Sequence, residues 1–365
     1  VRLLFINQKL SYAGTSSYTL DLAVALRKMG AAIQVVTQGG PLRKVLVNLG
    51  FESYQIKFNP LSFRKFLQFL REFNPELIHV QNQRSAHLGQ RISRKLRVPH
   101  VVTVHRTPDP SSPELKDPLL LGIIATNEVI RESLVNEHGI PKSLIRVIHR
   151  GVDTERLTPG SAPAIQATDQ PLIPVVGLVS RLARVKGQHV FLQAARRVLD
   201  LGVEAMFAIV GEGEEEPSLR KLVKTLGLEY NVMFSPHIPD RRELYRIFDM
   251  VVVPTLRAGV GSCALEAMSM GKPVIASAVG ELLHIIENGK TGLLVPEGDE
   301  EALAAGMVEL IRNPDLSRSL GDQARDCIVR QFSLTSMVKS THQFYEDVRG
   351  DFEERGLESL GVARS

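Results

Sequence analysis

Short β-branched runs alternate with longer amphipathic stretches along this chain, and the alternation is completed twice with an interruption between. In the first half the strand-like runs are 3–7, 33–37, 77–81, 100–105, 122–126 and 145–148, with helical patterns over 18–29, 62–73, 85–96 and 128–138. Strands separated by helix-length patterns indicate βαβ units and a parallel sheet. Residues 158–174, TPGSAPAIQATDQPLIP, have the composition of a linker. Strand-like runs then resume at 172–178, 205–210, 231–234, 250–254, 273–276 and 292–295. Helical patterns over 187–201, 216–227, 240–248, 262–270, 281–288, 300–312 and 317–331 lie among them. With 365 residues, too many for one ordinary core, the expected fold is α/β with two consecutive doubly wound domains. Ligands of such sheets bind beyond the carboxyl ends of the strands, so a cleft between the domains is the expected site. The segment 333–348 is amphipathic, with Met337, Phe344, Tyr345 and Val348 as its candidate buried positions.

Composition narrows the class. Hydrophobic residues make up 44% and charged residues 23%, the balance of a globular protein in water. No apolar run approaches the roughly 20 residues of a membrane span, and VRLLFINQ lacks the layout of a signal peptide. Cys263 and Cys327 alone do not make a disulfide framework, so a cytoplasmic location is expected. The net charge of +4 conceals an asymmetry. Residues 1–165 carry 22 Lys and Arg against 12 Asp and Glu, whereas residues 166–365 carry 22 against 28. Between Glu76 and Asp109 there is no acid, yet Arg84, Arg91, Arg94, Lys95, Arg97 and Arg106 lie there. Such a stretch suits nucleic acid, an anionic membrane or an anionic substrate, and equally an ordinary solvated helix face.

Chemistry concentrates at strand-to-helix turns. In TLRAGVGSCALEAM a strand runs into a turn with Gly259 and Gly261, and a helix opens near Ser262. Unpaired amides at the positive end of a helix fit an anion, although a tight turn with an ordinary N-cap reads the same way. Glu266, one turn in, has no acidic neighbour in sequence between Asp249 and Glu281. Its carboxylate can accept two hydrogen bonds from a vicinal diol, or simply complement the helix dipole. Arg181 and Lys186, in GLVSRLARVKGQHVFLQA, are either two cations for a diphosphate or exposed loop charges. Gly14, Thr15 and Ser16 open the first helix as a second anion nest. His105 ends the strand HVVTVH, where an imidazole can bond a substrate hydroxyl or move a proton. His79, among apolar neighbours, reads as a satisfied core histidine. G-x-G-x-x-G, the P-loop, G-x-S-x-G and metal-spaced acid or His/Cys clusters are all missing from the sequence.

Taken in order, these segments resemble glycosyltransferase family 4, whose members are retaining enzymes of GT-B architecture. The resemblance is carried by AGTSSYTLDLAVALRKMG, NPELIHVQNQ, VPHVVTVHR, IRVIHRGVDTERLTP, VSRLARVKG, IVGEGEEEPSL, RELYRIFDMVVVPT, LEAMSMGKPVIA and NGKTGLLVPEGDEEALA. It implies two Rossmann-like domains facing a central cleft: residues 1–165 for the acceptor and 166–335 for the nucleotide-sugar donor. Residues 336–365 would cross back to the first domain. It further implies that Arg181 and Lys186 grip the diphosphate and that Glu266 binds the ribose hydroxyls. Ala258, Gly259, Val260, Gly261 and Ser262 would form the loop at donor sugar and phosphate, with Gly14 and Gly211 also at the donor. His237 and Ile238 would contact the base through their main chain, and His105 would lie near the donor sugar as the catalytic candidate. No metal or other cofactor is implied.

Departures from the family pattern bear on activity. A second glutamate usually stands eight residues before the ribose-binding one, and that position here is Ala258. The alternative to an active transferase is therefore a catalytically impaired nucleotide-sugar-binding paralogue. Arg150, Pro236 and Gln81 replace a common Asn, Gly and His. For the acceptor, SFRKFLQFLREF over 62–73 sets an apolar face of Phe and Leu against Arg64, Lys65 and Arg71. That pattern describes an interfacial helix or a buried α/β helix with basic solvent positions, and the second reading is favoured. With the basic stretch it leads to an expected glycan or lipid-linked acceptor, anionic, as in lipopolysaccharide or glycolipid synthesis, met at the cytosolic membrane face. Nucleic acid is not an expected partner.

Overall fold

The structure, a computed structural model, describes residues 1–10, 14–56, 60–107, 115, 117–160, 173–236, 238, 240–257 and 261–359, with backbone only at 60–63 and 355–359. Two compact units result: Val1–Gly151 together with the C-terminal segment from Leu334, and Val152–Ser333. Most of the linker-like stretch lies outside the described residues.

The first unit holds a seven-stranded, fully parallel sheet of β1 (Arg2–Ile6), β2 (Ala32–Thr37), β3 (Glu52–Gln55), β4 (Leu77–Val80), β5 (His100–Val104), β6 (Leu120–Ala125) and β7 (Ile145–Val147). Its order is β3-β2-β1-β4-β5-β6-β7. The helices are α1 (Gly14–Lys28), α2 (Leu42–Asn48), α3 (Pro60–Phe73), α4 (Ala86–Leu96) and α5 (Glu128–Asn136). The second unit has a six-stranded parallel sheet, β10-β9-β8-β11-β12-β13, from β8 (Val175–Val179), β9 (Met206–Val210), β10 (Val232–Ser235), β11 (Met250–Val253), β12 (Val274–Ser277) and β13 (Leu293–Val295). Around it run α6 (Gln188–Asp200), α7 (Glu216–Thr225), α8 (Arg241–Arg246), α9 (Ser262–Ser269), α10 (Leu282–Ile285), α11 (Glu300–Arg312) and α12 (Pro314–Gln331). The last helix, α13 (Leu334–Ser359), packs in the first unit, where Met337, Phe344, Tyr345 and Val348 are all buried.

Central strands are buried on both faces, as β-branched runs such as HVVTV require, and every expected strand forms with ends shifted by no more than three residues. Two elements were not expected. β3, ESYQ, is a polar edge strand without alternation, and α2 anchors only Leu42 and Leu46 in the core. The apolar face of α3 turns inward at Phe66 and Leu70, with Tyr54 against the Phe66 and Phe69 rings at 4.8 and 5.5 Å. The buried-helix reading therefore holds at Phe66 and Leu70, whereas the side chain of Phe63, also on the expected apolar face, lies outside the described residues. Among the described residues no helix is long and apolar enough to cross a membrane.

Candidate active site

In the second unit the strand order reverses between β8 and β11, and a crevice opens where their carboxyl ends diverge. Ser180, Lys186, Pro254, Thr255, Gly261 and Cys263 are among its lining residues. Lys186 ends a 3-10 turn, Arg184–Lys186, that is pressed against the end of β11. The Thr255 hydroxyl donates to the Val185 carbonyl at 3.1 Å, and the Leu256 amide donates to the same oxygen at 2.9 Å. Gly187 follows at φ +71°, and a Cβ there would sit 1.8 Å from the Pro254 carbonyl oxygen. Only glycine lets the turn carrying the cation come this close.

α9 starts at Gly261 with no side-chain cap. One turn in, Glu266 accepts a hydrogen bond from Tyr245 Oη at 3.0 Å, and Arg241 Nε lies 3.8 Å from the same Oε2. Asp240 caps α8 by accepting from the Arg242 amide at 3.0 Å, so that Arg241 and Tyr245 emerge one turn apart toward Glu266. Tyr245 is fully buried; burial and then Glu266 raise its pKa well above the ordinary value, so it stays a hydroxyl donor. Cys263 is also held above the usual thiol range, by burial first, with Lys186 opposing and Glu266 reinforcing. A second carboxylate, Glu281, is buried, and its Oε2 accepts the Gly261 amide at 3.3 Å.

The expected donor residues fall unevenly around this crevice. Lys186 and Gly261 line it, Ser262 opens α9 and Ile238 packs on the adjoining core. Arg181 points its exposed guanidinium at Glu214, 3.5 Å away, and neither it nor Glu266 is among the lining residues, Glu266 standing one turn beyond Cys263 on α9. Gly211 follows β9 at φ +144°, where a Cβ would lie 1.9 Å from the Ser180 carbonyl oxygen, so its glycine has a packing reason of its own. Ala258, Gly259, Val260 and His237 lie outside the described residues. Tyr245, Arg241 and Glu281 were missed. The 241/245 spacing was a readable signal for the first two, whereas nothing local marks Glu281 as a neighbour of Gly261.

A cavity of about 490 Å³ opens at the matching point of the first unit, beyond β1 and β4. Lys9, Arg84 and Arg106 line it together with Asn7, Thr15 and His105, and none of its lining residues is acidic. Gly14 begins α1 beside it, while Ser16 is buried and donates to the Lys9 carbonyl at 3.1 Å. His105 Nε2 donates to the Gln81 carbonyl at 3.0 Å, leaving Nδ1 as the acceptor of this tautomer. Burial, then the Arg150 charge, lowers the His105 pKa to about 4, so the ring is neutral near pH 7. His79 is the core histidine anticipated: it is buried, with Nδ1 2.5 Å from Tyr345 Oη and Nε2 2.7 Å from the Thr103 hydroxyl. Among the described residues no group of three or more His, Cys, Asp or Glu is placed to hold a metal ion.

Two family models match in chain order, Glycosyltransferase Family 4 over residues 12–156 and Glycosyl transferases group 1 over residues 168–326. The chain belongs to the family 4, GT-B-type glycosyltransferases. One relative of this glycosyltransferase is the D-inositol 3-phosphate glycosyltransferase of Corynebacterium jeikeium, 28% identical with 92% of each chain covered. Another is the N-acetyl-alpha-D-glucosaminyl L-malate synthase of Bacillus anthracis, 26% identical over 93% of this chain and 96% of that one. Anabaena HepE, solved in complex with UDP, superposes with a TM-score of 0.85 over 95% of this chain and 100% of its own. At 22% identity, that likeness shows the shared GT-B fold of two Rossmann-like domains.

Proposed function

We propose that this glycosyltransferase moves a hexose from a nucleoside diphosphate sugar to an anionic glycan or glycolipid acceptor, without a metal and with retention of configuration. The donor belongs in the second unit. Its diphosphate lies at Lys186 and the α9 amides, and its ribose diol on the carboxylate of Glu266. The observation that carries this reading is that Lys186 and Cys263 line the crevice at the switch point of the sheet, while Glu266, one turn along α9 from Cys263, is held in place by Tyr245. Cations answer a diphosphate, and an ionised carboxylate answers two hydroxyls.

The acceptor belongs in the cavity of the first unit, where three cations and no acid suit an acceptor carrying phosphate or carboxylate. The names of both relatives above describe acceptors of this kind, a sugar-alcohol phosphate and a dicarboxylic acid. His105 borders this cavity, neutral and with its acceptor Nδ1 buried, and so is suited to a positioning role rather than to act as a strong base. In the reaction the acceptor oxygen bonds to the anomeric carbon on the face from which the nucleotide departs. Its proton passes to the leaving phosphate, and the protein supplies position and charge. The same cations are the feature that would draw the enzyme to the cytosolic face of a membrane.

The test is incubation with UDP-, GDP-, ADP- and CMP-sugars, with and without EDTA, and with myo-inositol phosphate and malate as acceptors. Sugar release or transfer with the anomeric coupling of the donor preserved is expected. Binding without release from any donor would favour the impaired paralogue that Ala258 suggests.

A further inference from the structure

Hydrogen bonds at the switch point of the first unit form a chain with a single direction. Asn82 follows β4 and caps a 3-10 turn, Gln83–Ser85, that leads into α4. Its Oδ1 accepts the Ser85 amide at 3.1 Å and the Ser85 hydroxyl at 3.0 Å. A backbone amide can only donate, so the Asn82 side chain is fixed in orientation and its Nδ2 is turned away from Ser85. That Nδ2 donates to Asn7 Oδ1 at 3.1 Å, and Asn7 Nδ2 donates to the Thr19 hydroxyl of α1 at 2.8 Å. The Gln8 amide donates to Ser85 Oγ at 2.8 Å. The turn is thereby tied to the residues just after β1 and, through Asn7, to α1, and Arg84 at its middle lines the basic cavity. Arg94, from the same acid-free stretch, is ion-paired with Asp117 at 2.6 Å, whereas Arg84 stands exposed at the cavity.

We infer that Asn82 is a positioning residue of the acceptor cavity, and that Arg84, set by the turn it caps, selects an acceptor bearing phosphate or carboxylate. The inference rests on the acceptor reading above. A guanidinium binds such oxyanions through a planar fork, and least freedom is lost on binding when the backbone beneath the fork is already fixed. Asn82 also borders the cavity, so direct contact with the acceptor is the competing role. Both ends of its amide are engaged within the protein, which favours action through the turn. Ser85 separates the two roles. It is buried, ties the same turn to Gln8, and is not among the residues lining the cavity.

The experiment is a set of calorimetric titrations of wild type, Asn82→Ala, Ser85→Ala, Arg84→Gln and the two double variants carrying Arg84→Gln. The probes are myo-inositol phosphate against myo-inositol and glucose 6-phosphate against glucose, and the readout is the preference for the anion within the pair that wild type binds best. Arg84→Gln should lower that preference about tenfold or more, the scale of a hydrogen bond between charged groups. Asn82→Ala and Ser85→Ala should each lower it about two- to tenfold, the cost of ordering one long side chain on binding. In the Arg84→Gln background each should change it by less than about twofold. A cooperative melt is the folding control, and Ser85→Ala carries the same readout should Asn82→Ala fail to fold. Vesicles of phosphatidylinositol against phosphatidylcholine, compared by sedimentation, distinguish a lipid-borne phosphate from a free one, and an Arg84-dependent preference on either arm supports the inference. An undiminished effect of Asn82→Ala after Arg84→Gln, or an unchanged preference in Arg84→Gln or Ser85→Ala, would overturn it. A wild type with no preference for the anion would remove the acceptor reading itself, and the inference with it.

Discussion

Replacing Tyr245 with Phe removes one hydroxyl and leaves the buried ring in place. That hydroxyl donates to Glu266 at 3.0 Å, with the Cys263 carbonyl a second acceptor at 3.3 Å. A hydrogen bond to a charged group contributes ~1.5–3 kcal/mol. The Glu266 side chain is 20% exposed, so water can take over part of the bond and the lower end applies. Loss of about 1.5 kcal/mol in the second unit corresponds to a fall in Tm of roughly 3–6 °C. The effect on binding is smaller. A released carboxylate must be re-ordered when ribose arrives, at about 0.5–1.5 kcal/mol, which is roughly a two- to tenfold rise in Kd for the nucleotide. Calorimetry and thermal melting of Tyr245→Phe, Glu266→Gln and the double variant form the assay. The phenylalanine substitution should matter clearly in the wild-type background and much less once Glu266 is already Gln. Equal effects in both backgrounds, or unchanged nucleotide affinity in Tyr245→Phe, would refute the claim that Tyr245 acts through Glu266.

Other expectations follow from the same geometry. Lys186→Ala should weaken nucleoside diphosphate binding by ~1.5–3 kcal/mol, whereas Arg181→Ala, exposed and paired with Glu214, should cost less than about 1 kcal/mol. Titration calorimetry of the two variants ranks them, and the reverse order would show the cations misassigned. His79, His100 and His105 have pKa values lowered to about 3, about 4 and about 4, chiefly by burial. The unfolded chain takes up protons below about pH 6.5 that the folded histidines refuse, so stability should be level above pH 7 and fall from pH 6.5 toward 4. Denaturant melts across that range check the sign; a rise in stability on acidification would contradict it. Gly187→Ala forces a side chain into a left-handed conformation and against the Pro254 carbonyl, so it should destabilise by more than ~1–2 kcal/mol and lower nucleotide affinity. A melting curve unchanged from wild type would show that the turn is not so confined.

Much of this was legible in the sequence because burial on both faces of a parallel strand demands runs such as HVVTV and MVVV, which few other structures require. The buried positions of α13 were readable from helical period alone. The edge strand ESYQ was not, since a strand paired on one side carries no alternation to find. Amphipathic period in α3 specified an apolar face but not what covers it, and the burial of Phe66 and Leu70 shows protein covering it at those two positions. At the site, isolation in sequence singled out Glu266, and strand-to-helix position singled out Lys186. Although the 241/245 spacing was readable, which groups Glu266 and Glu281 would meet was not, for a physical reason. Tyr245 is 21 residues from Glu266, and Glu281 is 20 from Gly261, so both contacts depend on how neighbouring helices pack.

A crystal structure with the best-bound nucleoside diphosphate sugar is the most direct test of the donor site. Lys186 Nζ should lie about 3 Å from a diphosphate oxygen, with the ribose hydroxyls at the same distance from the Glu266 carboxylate. Nucleotide density elsewhere on the second unit, or at this crevice with the ribose turned away from Glu266, would contradict the account.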